Sequence, residues 1–334
     1  MIQNSSFKDL KVAIIPHPRL GDTTIGLRLA WIFSHAGSCV CFYSNSMCST
    51  HEYFPWLDIL PNENLSLLDI SPRYDLVICH VKNFPQSNEL AIDCLQLDNI
   101  AYLKSKNSKD GFELGRQKTL VRGHLYPGAN RIICPDSKSG LSMVQWIDQY
   151  AHEVFGLSCP DPVPVQFGVN QKSTGTKVVI FPTSAKAEKD YPLRAWMWLA
   201  NRLTKDGWMV DFVCLPKEQA TIQKICANFA VRSFPSIKEL MDYLSDCTAV
   251  ISNDSGGGHL ASLMGKKTFT ITRRKKNFSW RPDFNDLGYV LSPLITFRLF
   301  GCRRIWWPFI PIWRIPEKLE KPLELPSMYR QQRT

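Results

Sequence analysis

Short runs rich in valine and isoleucine alternate with helical stretches along almost the whole chain. Such alternation is typical of parallel β-sheets whose strands are joined by crossover helices, so it predicts an α/β fold. In the first half we predict a helix over 24–34 and strands at 11–15, 39–43, 75–80 and 100–103. In the second half we predict strands at 178–181, 209–215, 249–252 and 268–271, and helices over 193–204, 217–229, 237–245 and 256–264.

Residues 159–177 interrupt this alternation. Three prolines lie in the first half of the segment, polar residues fill the second half, and no periodicity is apparent. A chain of 334 residues is long enough for two cores of the usual domain size. We therefore predict two doubly wound, Rossmann-like domains, at 1–165 and 172–334, that face one another across a cleft.

Composition narrows the class of protein. The eleven cysteines form no C-x-x-C pair, which disfavours both a disulfide framework and a structural zinc site and suits a reducing cytoplasm. Residues 1–11 lack the apolar run of a secretory signal, and no uninterrupted apolar stretch approaches eighteen residues, so we expect neither export nor a membrane span. The net charge of +10 favours anionic partners.

The segment SNDSGGGHLA, residues 252–261, has two incompatible interpretations. Asp-Ser-Gly-Gly surrounds the nucleophile of trypsin-like proteases, but those are exported, disulfide-braced all-β proteins, and no G-x-S-x-G elbow is present here. Three glycines between a strand and a helix instead suit a diphosphate, because the helix start offers unpaired N–H donors and a partial positive charge. A helix whose glycines serve only a tight turn stays an alternative.

Three segments together resemble the ADP-heptose:lipopolysaccharide heptosyltransferases of glycosyltransferase family 9. Residues 249–271 resemble the family's strand, its Asp-[Ser/Thr]-Gly-x-x-His-Leu segment and the helix and strand that follow. Residues 11–30 resemble its first strand and Leu-Gly-Asp turn, and residues 178–203 its strand, loop and Lys-x-Trp-Pro. The resemblance implies the GT-B fold. The sequence departs from the family at Pro18-Arg19 and at Tyr191, which bears on acceptor and donor rather than on fold.

The resemblance implies a role for each matching residue. Asp22 is the expected catalytic base, although an aspartate there can also cap the helix that follows. Lys189 is expected to neutralise the leaving diphosphate, although a single lysine is more often a solvated surface charge. The expected donor diphosphate and sugar site comprises Asp254, Ser255, Gly256, Gly257, His259 and Lys186. Position alone suggests Glu218 and Ser236 for the nucleoside and Arg19 for the acceptor.

The segment from Arg298 to Lys318 interleaves basic residues with Trp306, Trp307 and Trp313. Such mixtures suit a membrane interface, where rings lie at headgroup level and cations meet lipid phosphates. The alternative is that these aromatics pack back across the N-terminal domain, and three prolines disfavour a regular amphipathic helix. Both interpretations stay open. The basic run at 273–276 is either a solvated loop or a phosphate contact.

The expected function is that of an inverting, metal-independent glycosyltransferase that moves heptose from ADP-heptose to the lipopolysaccharide inner core. No D-x-D occurs, so we expect no metal and no cofactor beyond the nucleotide-sugar donor. The expected acceptor is a lipid-linked phosphorylated oligosaccharide at the cytoplasmic face of the inner membrane of a Gram-negative bacterium, with an anionic membrane surface as a further partner. Alternatives are transfer of another nucleotide sugar and an inactive homologue. The chain contains no recognised nucleic-acid-binding motif, which disfavours nucleic-acid binding. Its first strand is not followed by G-x-G-x-x-G, which disfavours a dinucleotide-dependent oxidoreductase.

Overall fold

A computed structural model describes residues 7–84, 88–106, 114, 117–167, 175–274, 277–299 and 303–319. The chain divides into two compact units, Met1–Gln166 with Asn277–Phe284, and Phe167–Lys276 with Asn285–Thr334. Each unit contains a six-stranded parallel sheet with helices, so the predicted α/β class is confirmed. Within the described ranges, no helix combines the length and the apolar character that crossing a membrane requires.

The first unit is built on a sheet of strand order β3-β2-β1-β4-β5-β8. Its strands are β1 (Lys11–Ile15), β2 (Cys39–Tyr43), β3 (Asp58–Leu60), β4 (Leu76–His80), β5 (Ile100–Lys106) and β8 (Arg131–Cys134), with the short hairpin β6 (Leu120–Val121) and β7 (His124–Leu125). Its helices are α1 (Leu20–His35), α2 (Leu67–Ile70), α3 (Asn88–Gln96) and α4 (Met143–Phe155).

The second unit repeats this plan with strand order β11-β10-β9-β12-β13-β14. Its strands are β9 (Lys177–Phe181), β10 (Met209–Val213), β11 (Ala230–Arg232), β12 (Ala249–Asn253), β13 (Lys267–Ile271) and β14 (Gly288–Leu291), followed by the antiparallel pair β15 (Phe297–Leu299) and β16 (Arg303–Ile305). Its helices are α5 (Leu193–Lys205), α6 (Gln219–Ile225), α7 (Ile237–Ser245), α8 (Gly256–Leu263) and α9 (Arg314–Lys318).

Buried apolar strands organise both cores, as parallel sheets require because helices cover both faces. All five residues of β12 are buried, and four of the five residues of β9 are buried. Trp196 on α5 is fully buried against this sheet. In the first unit, α1 approaches β1 closely at Gly26, where a Cβ atom would lie 2.9 Å from Pro16 Cβ. A larger residue there would push the start of α1 away from the sheet edge.

The predicted domain division assigned residues 277–284 to the C-terminal domain, but the structure groups them with the first unit. They belong to the first unit because their backbone is tied to the start of α4. Met143 N donates to Ser279 O at 2.7 Å, and Arg281 donates to Gly140 O at 2.9 Å. Sequence proximity to β13 carried no information about these long-range bonds.

The aromatic segment after β14 packs on the core of the second unit. Trp306 is buried and its ring centroid lies 6.1 Å from that of Tyr191, and Ile315 on α9 is fully buried in the same cluster. Trp306 and Ile315 therefore pack within the second unit itself. Trp307 and Trp313 are 47% and 48% exposed. The exposed rings of these two residues suit the predicted membrane contact.

Candidate active site

The glycine-rich turn joins the buried strand β12 to helix α8, as the strand, turn and helix pattern predicted. Ser255 occupies the N-cap position, but its side chain makes no capping hydrogen bond. Its Oγ is buried and, among the described residues, has no hydrogen-bond partner. An ordinary N-cap serine accepts a bond from the first turn. The first N–H groups of α8 therefore receive no hydrogen bond from this side chain.

Gly257 has a packing role in this turn. A Cβ atom at this position would lie 2.7 Å from the ring of Phe181, the last residue of β9. Real Cβ atoms do not approach aromatic carbons so closely, so only glycine lets α8 lie against this strand end. The middle glycine therefore fixes the position of the helix start against β9.

Asn253 fastens the turn to the loop that follows β9. Its buried side chain accepts from Tyr191 N at 2.9 Å and donates to Pro182 O at 2.6 Å. The sequence analysis gave Asn253 no role of its own. Its position at the end of a buried strand was the available signal, because a buried amide must find partners.

Lys189 and Asp254 form an ion pair, with Lys189 Nζ 3.0 Å from Asp254 Oδ2. Lys189 ends a short 3-10 turn after β9, and Asp254 follows β12. Strands β9 and β12 are neighbours in a parallel sheet, so their carboxyl ends deliver both side chains to one edge. The structure therefore brings together the two motifs that carried the predicted lysine and aspartate.

Lys186 lies three residues before Lys189 and is exposed at the start of the same turn. Glu188 in that turn pairs with Arg273, whose guanidinium lies 3.2 Å from Glu188 Oε1. The first residue of the basic run 273–276 therefore reaches the edge of this site, whereas residues 275 and 276 lie outside the described part of the chain.

Glu218 ends the short 3-10 turn that follows β10, on the same side of the sheet. Its Oε2 accepts from Thr183 Oγ1 at 2.9 Å and from Leu215 N at 3.2 Å. Nearby, burial raises the pKa of Asp190, while hydrogen bonds from Ser184 act in the opposite direction. Thr183 is a further polar group without a predicted role, although it lies only two residues after the end of β9.

Ser236 and His259 have different surroundings from those that their predicted roles suggested. Ser236 caps α7, because its hydroxyl accepts from Glu239 N at 3.2 Å. His259 lies in the first turn of α8 and is only 3% exposed. The hydroxyl of Ser236 is thus committed to the helix, and the imidazole of His259 belongs to the interior of the second unit.

Asp22 lies in the first turn of α1 in the first unit. Its Oδ1 accepts from Ser105 Oγ at 2.9 Å, and its Oδ2 lies 3.7 Å from Nδ1 of His17. Ser105 Oγ also lies 3.0 Å from Nε2 of His80. The N-cap position of α1 belongs to Arg19, three residues before Asp22. Ser105, His17 and His80 had no predicted role, and of these only His17 lies near Asp22 in sequence.

Arg19 is exposed, and its backbone N–H donates to His17 Nδ1 at 3.1 Å. Burial lowers the pKa of His17, and the charges of Arg19 and Lys82 act in the same direction, while Asp22 opposes them. Around the Asp22 carboxylate there is thus a neutral imidazole with two cations beyond it. That surrounding field is positive.

One group of described side chains has the composition of a metal site. Ligand atoms of His35, Cys159 and Asp161 all lie within 4.8 Å of one another in the first unit. They are contributed by the end of α1 and by the segment after α4, so the group lies at the opposite end of α1 from Asp22. Sequence spacing gave no indication of it.

Taken together, the fold and the second-unit site define a class of protein. Two units, each with a six-stranded parallel sheet and helices, form the GT-B glycosyltransferase fold. The second unit also has a glycine-rich turn and a lysine at one edge of its sheet. ADP-heptose lipopolysaccharide heptosyltransferase II of E. coli has a similar structure, at a TM-score of 0.64 and 16% identity over 93% of this chain and 97% of that one. A family 9 glycosyl transferase from Veillonella parvula DSM 2008 gives a TM-score of 0.62 and 14% identity over 85% and 86% of the two chains.

The E. coli heptosyltransferase WaaC with ADP is also similar, with a TM-score of 0.58 and 15% identity over 84% of this chain and 92% of that one. The model of glycosyltransferase family 9 (heptosyltransferase) matches residues 135–292. That range contains two of the three motifs on which the resemblance to the family rests. No curated protein matches the sequence. The matched range holds Lys189 and Asp254 but not Asp22.

Proposed function

We propose that this protein is an inverting glycosyltransferase that transfers heptose from ADP-heptose to the inner core of lipopolysaccharide. The observation that carries the proposal is the Lys189–Asp254 pair beside the start of α8, within the matched family domain. Solved structures of similar fold are named for ADP-heptose and for lipopolysaccharide, which supports this donor and acceptor. We further propose that Phe167–Lys276 with Asn285–Thr334 is the nucleotide-sugar unit and the other unit the acceptor side.

The proposed donor site uses unpaired groups at the start of α8. The backbone N–H groups of Gly256 and Gly257 and the hydroxyl of Ser255 bind the diphosphate, because a helix start combines free donors with a partial positive charge. Lys189 neutralises the charge that grows on the leaving ADP, and Lys186 contributes a second cation. The unpartnered, buried Ser255 Oγ supports this arrangement, since such atoms require an explanation in a native structure.

Neighbouring polar groups take the remaining parts of the donor. We propose that Asp254 and His259 serve the heptose side, and that Glu218 binds ribose hydroxyls through the carboxylate oxygen that Thr183 does not use. The capping bond of Ser236 leaves it at most a backbone contact with the nucleoside. Arg19, exposed next to Asp22, is the proposed contact for an acceptor phosphate.

The proposed reaction is a single displacement at the anomeric carbon. Asp22 takes the proton of the acceptor hydroxyl, whose oxygen forms the new glycosidic bond. The bond between the anomeric carbon and the phosphate oxygen breaks, and its electron pair leaves with ADP. The anomeric configuration inverts because attack and departure occur on opposite faces. Lysine and helix start supply the charge stabilisation, so the proposed step uses no metal, and transfer by chelator-treated protein tests that point.

The proposed location is the cytoplasmic face of the inner membrane of a Gram-negative bacterium, where a lipid-linked, phosphorylated acceptor is presented. The half-exposed rings of Trp307 and Trp313 support contact with an anionic membrane surface. Binding to vesicles with and without anionic lipid tests this contact. A Trp307→Ser, Trp313→Ser double variant is expected to lose it.

A transfer assay tests the proposed function. Purified protein is incubated with ADP-heptose and a lipopolysaccharide core that lacks heptose, and the product is examined by mass spectrometry and anomeric NMR. Addition of one heptose with inverted configuration, lost in Asp22→Asn and in Lys189→Ala, is the expected result. Transfer from another nucleotide sugar in place of ADP-heptose contradicts the heptose assignment, and absence of transfer from every donor indicates an inactive homologue.

A further inference from the structure

Three polar side chains meet at the carboxyl edge of the first sheet. His80 ends β4, Ser105 lies near the end of β5, and Asp22 lies at the start of the helix that follows β1. Because β1, β4 and β5 are adjacent parallel strands, their carboxyl ends bring these three side chains together. They form a continuous chain, with 2.9 Å from Ser105 Oγ to Asp22 Oδ1 and 3.0 Å from His80 Nε2 to Ser105 Oγ.

The direction of these hydrogen bonds follows from their chemistry. An ionised carboxylate can only accept, so the Ser105 hydroxyl donates to Asp22 and is left with lone pairs to accept. Lys82 N–H donates to His80 Nδ1 at 3.2 Å, which makes Nδ1 the unprotonated nitrogen of a neutral ring. The proton of His80 is then on Nε2, where it donates to Ser105 Oγ. Ser105 N–H also points at this Nε2 from 3.3 Å, but a neutral ring accepts at only one nitrogen. The Ser105 hydroxyl decides between the two tautomers, because it donates to Asp22 and its 3.0 Å contact with Nε2 then requires a proton on that nitrogen.

The other oxygen of Asp22 has a different neighbour. His17 Nδ1 lies 3.7 Å from Asp22 Oδ2, and this nitrogen already accepts the Arg19 N–H. Since burial lowers the pKa of His17, the neutral ring is favoured and its Nδ1 offers a lone pair rather than a proton. The two oxygens are therefore distinguished, because Oδ1 receives a donated hydroxyl while the histidine nearest to Oδ2 donates nothing through Nδ1.

The chain borders a small apolar cavity of about 50 Å³, which is walled by Ile14, Ile25, Ile78, Leu103 and Trp280 among others. Hydrogen bonds are electrostatically stronger next to such a wall than in water. The arrangement is thus suited to fixing one carboxylate rotamer.

We propose that Ser105 and His80 are positioning residues for Asp22, with His80 orienting the Ser105 hydroxyl and Ser105 holding Oδ1 so that Oδ2 meets the acceptor hydroxyl. This inference rests on the proposed function, in which Asp22 is the base. Neither Ser105 nor His80 gains or loses a proton in the step. The proton of the acceptor moves to Oδ2, and the hydrogen-bond chain keeps the carboxylate in the orientation that this transfer requires.

Steady-state kinetics of the full-length protein test the proposal. Ser105→Ala is expected to lower kcat about tenfold with an unchanged KM for ADP-heptose. It also moves the acidic limb of the rate profile to higher pH, since a lost donor favours the protonated carboxylate. Ser105→Thr and His80→Gln retain a hydroxyl and an N–H donor and are expected to retain most of kcat. Ser38→Ala, which removes a hydroxyl bonded to Phe7 O, is the matched control.

The outcomes separate the two proposals. If the wild type transfers heptose and Ser105→Ala has the same kcat and pH profile, the positioning role is overturned and the proposed function stands. If the wild type shows no transfer at all, the proposed function itself is contradicted. Nitrogen NMR of the histidine rings tests the chain independently of turnover. A His80 ring that carries its proton on Nε2 in the wild type supports the proposed direction, and a ring protonated on Nδ1 overturns it.

Discussion

Lys189 Nζ lies 3.0 Å from Asp254 Oδ2, so a cation and a carboxylate 65 residues apart in sequence meet at the edge of the second sheet. The Lys189 and Asp254 side chains are 26% and 12% exposed, which leaves them partly shielded from solvent. In the proposed function the lysine serves the diphosphate, and the aspartate serves the sugar. The pair must then exchange partners when the donor binds.

Asp254→Asn tests this exchange. Loss of the carboxylate removes repulsion toward the diphosphate and releases Lys189, so ADP is expected to bind about threefold more tightly. The preference for ADP-heptose over ADP is expected to fall, because the sugar loses its carboxylate. Calorimetry measures both affinities, and Glu188→Gln, which removes the partner of Arg273 in the same loop, is the control. An Asp254→Asn variant with weaker ADP binding contradicts the exchange.

Ser255 and Ser236 occupy the same position on two helices but differ in their bonds. Ser236 caps α7, whereas Ser255 makes no capping bond to α8. We expect Ser236→Ala to lower the free energy of unfolding by about 1 kcal/mol with unchanged ADP affinity. We expect Ser255→Ala to leave stability nearly unchanged and to weaken ADP binding about tenfold. Denaturant unfolding measures the stability of both variants, and calorimetry measures their affinity for ADP. Loss of ADP affinity in Ser236→Ala, with loss of stability in Ser255→Ala, contradicts the donor site.

Gly257→Ala is expected to destabilise the second unit. The new methyl group meets the Phe181 ring at 2.7 Å, and overpacking of this kind costs about 1–3 kcal/mol. Phe181→Leu, added to Gly257→Ala, is expected to restore part of the lost stability. A double-mutant cycle of denaturant unfolding measures the interaction energy between the two positions. Additive effects of the two substitutions contradict the contact.

His17 is expected to make stability depend on pH. Its pKa is lowered in the folded protein, so below its ordinary pKa of 6.5 the unfolded chain binds the proton more readily and stability falls as pH decreases. Between about pH 7 and about pH 5.5, His17→Asn is expected to lose less stability than the wild type.

The groups that face His17, namely Asp22, His80, Arg19 and Lys82, are the same in both proteins. His124→Asn, on the exposed strand β7, is the control and is expected to follow the wild type. Denaturant unfolding at several pH values measures the difference. Identical profiles for His17→Asn and the wild type contradict this assignment.

The bounds of a helix or strand could be predicted from sequence where a local pattern marks them. Strands β1 and β2 and helix α7 begin and end where they were predicted, because an apolar run or a capping serine marks their bounds. Helix α6 is shorter than predicted, since the chain leaves the helix at Cys226 to enter β11. Helix α4 was not predicted, although its capping box and the left-handed Gly156 were visible signals.

The site was predictable only one motif at a time. Asp22, Lys189 and Asp254 each follow a recognisable segment, but the ion pair depends on the neighbouring strands β9 and β12. Ser105 and its bond to Asp22 depend on the strand order of the first sheet, which no local pattern encodes. The periodicity of the sequence predicts helices and strands, whereas the order of the strands in the sheet determines which polar residues lie close together.

Calorimetric binding of ADP, UDP and GDP to the wild type and to Lys189→Ala tests the central claim most directly. We predict selective binding of ADP that weakens at least about tenfold in Lys189→Ala and is nearly unchanged in Lys205→Ala, a lysine at the end of α5. Binding of UDP or GDP in preference to ADP would contradict the ADP-heptose assignment. ADP binding that is indifferent to Lys189 would contradict the donor site described for the second unit.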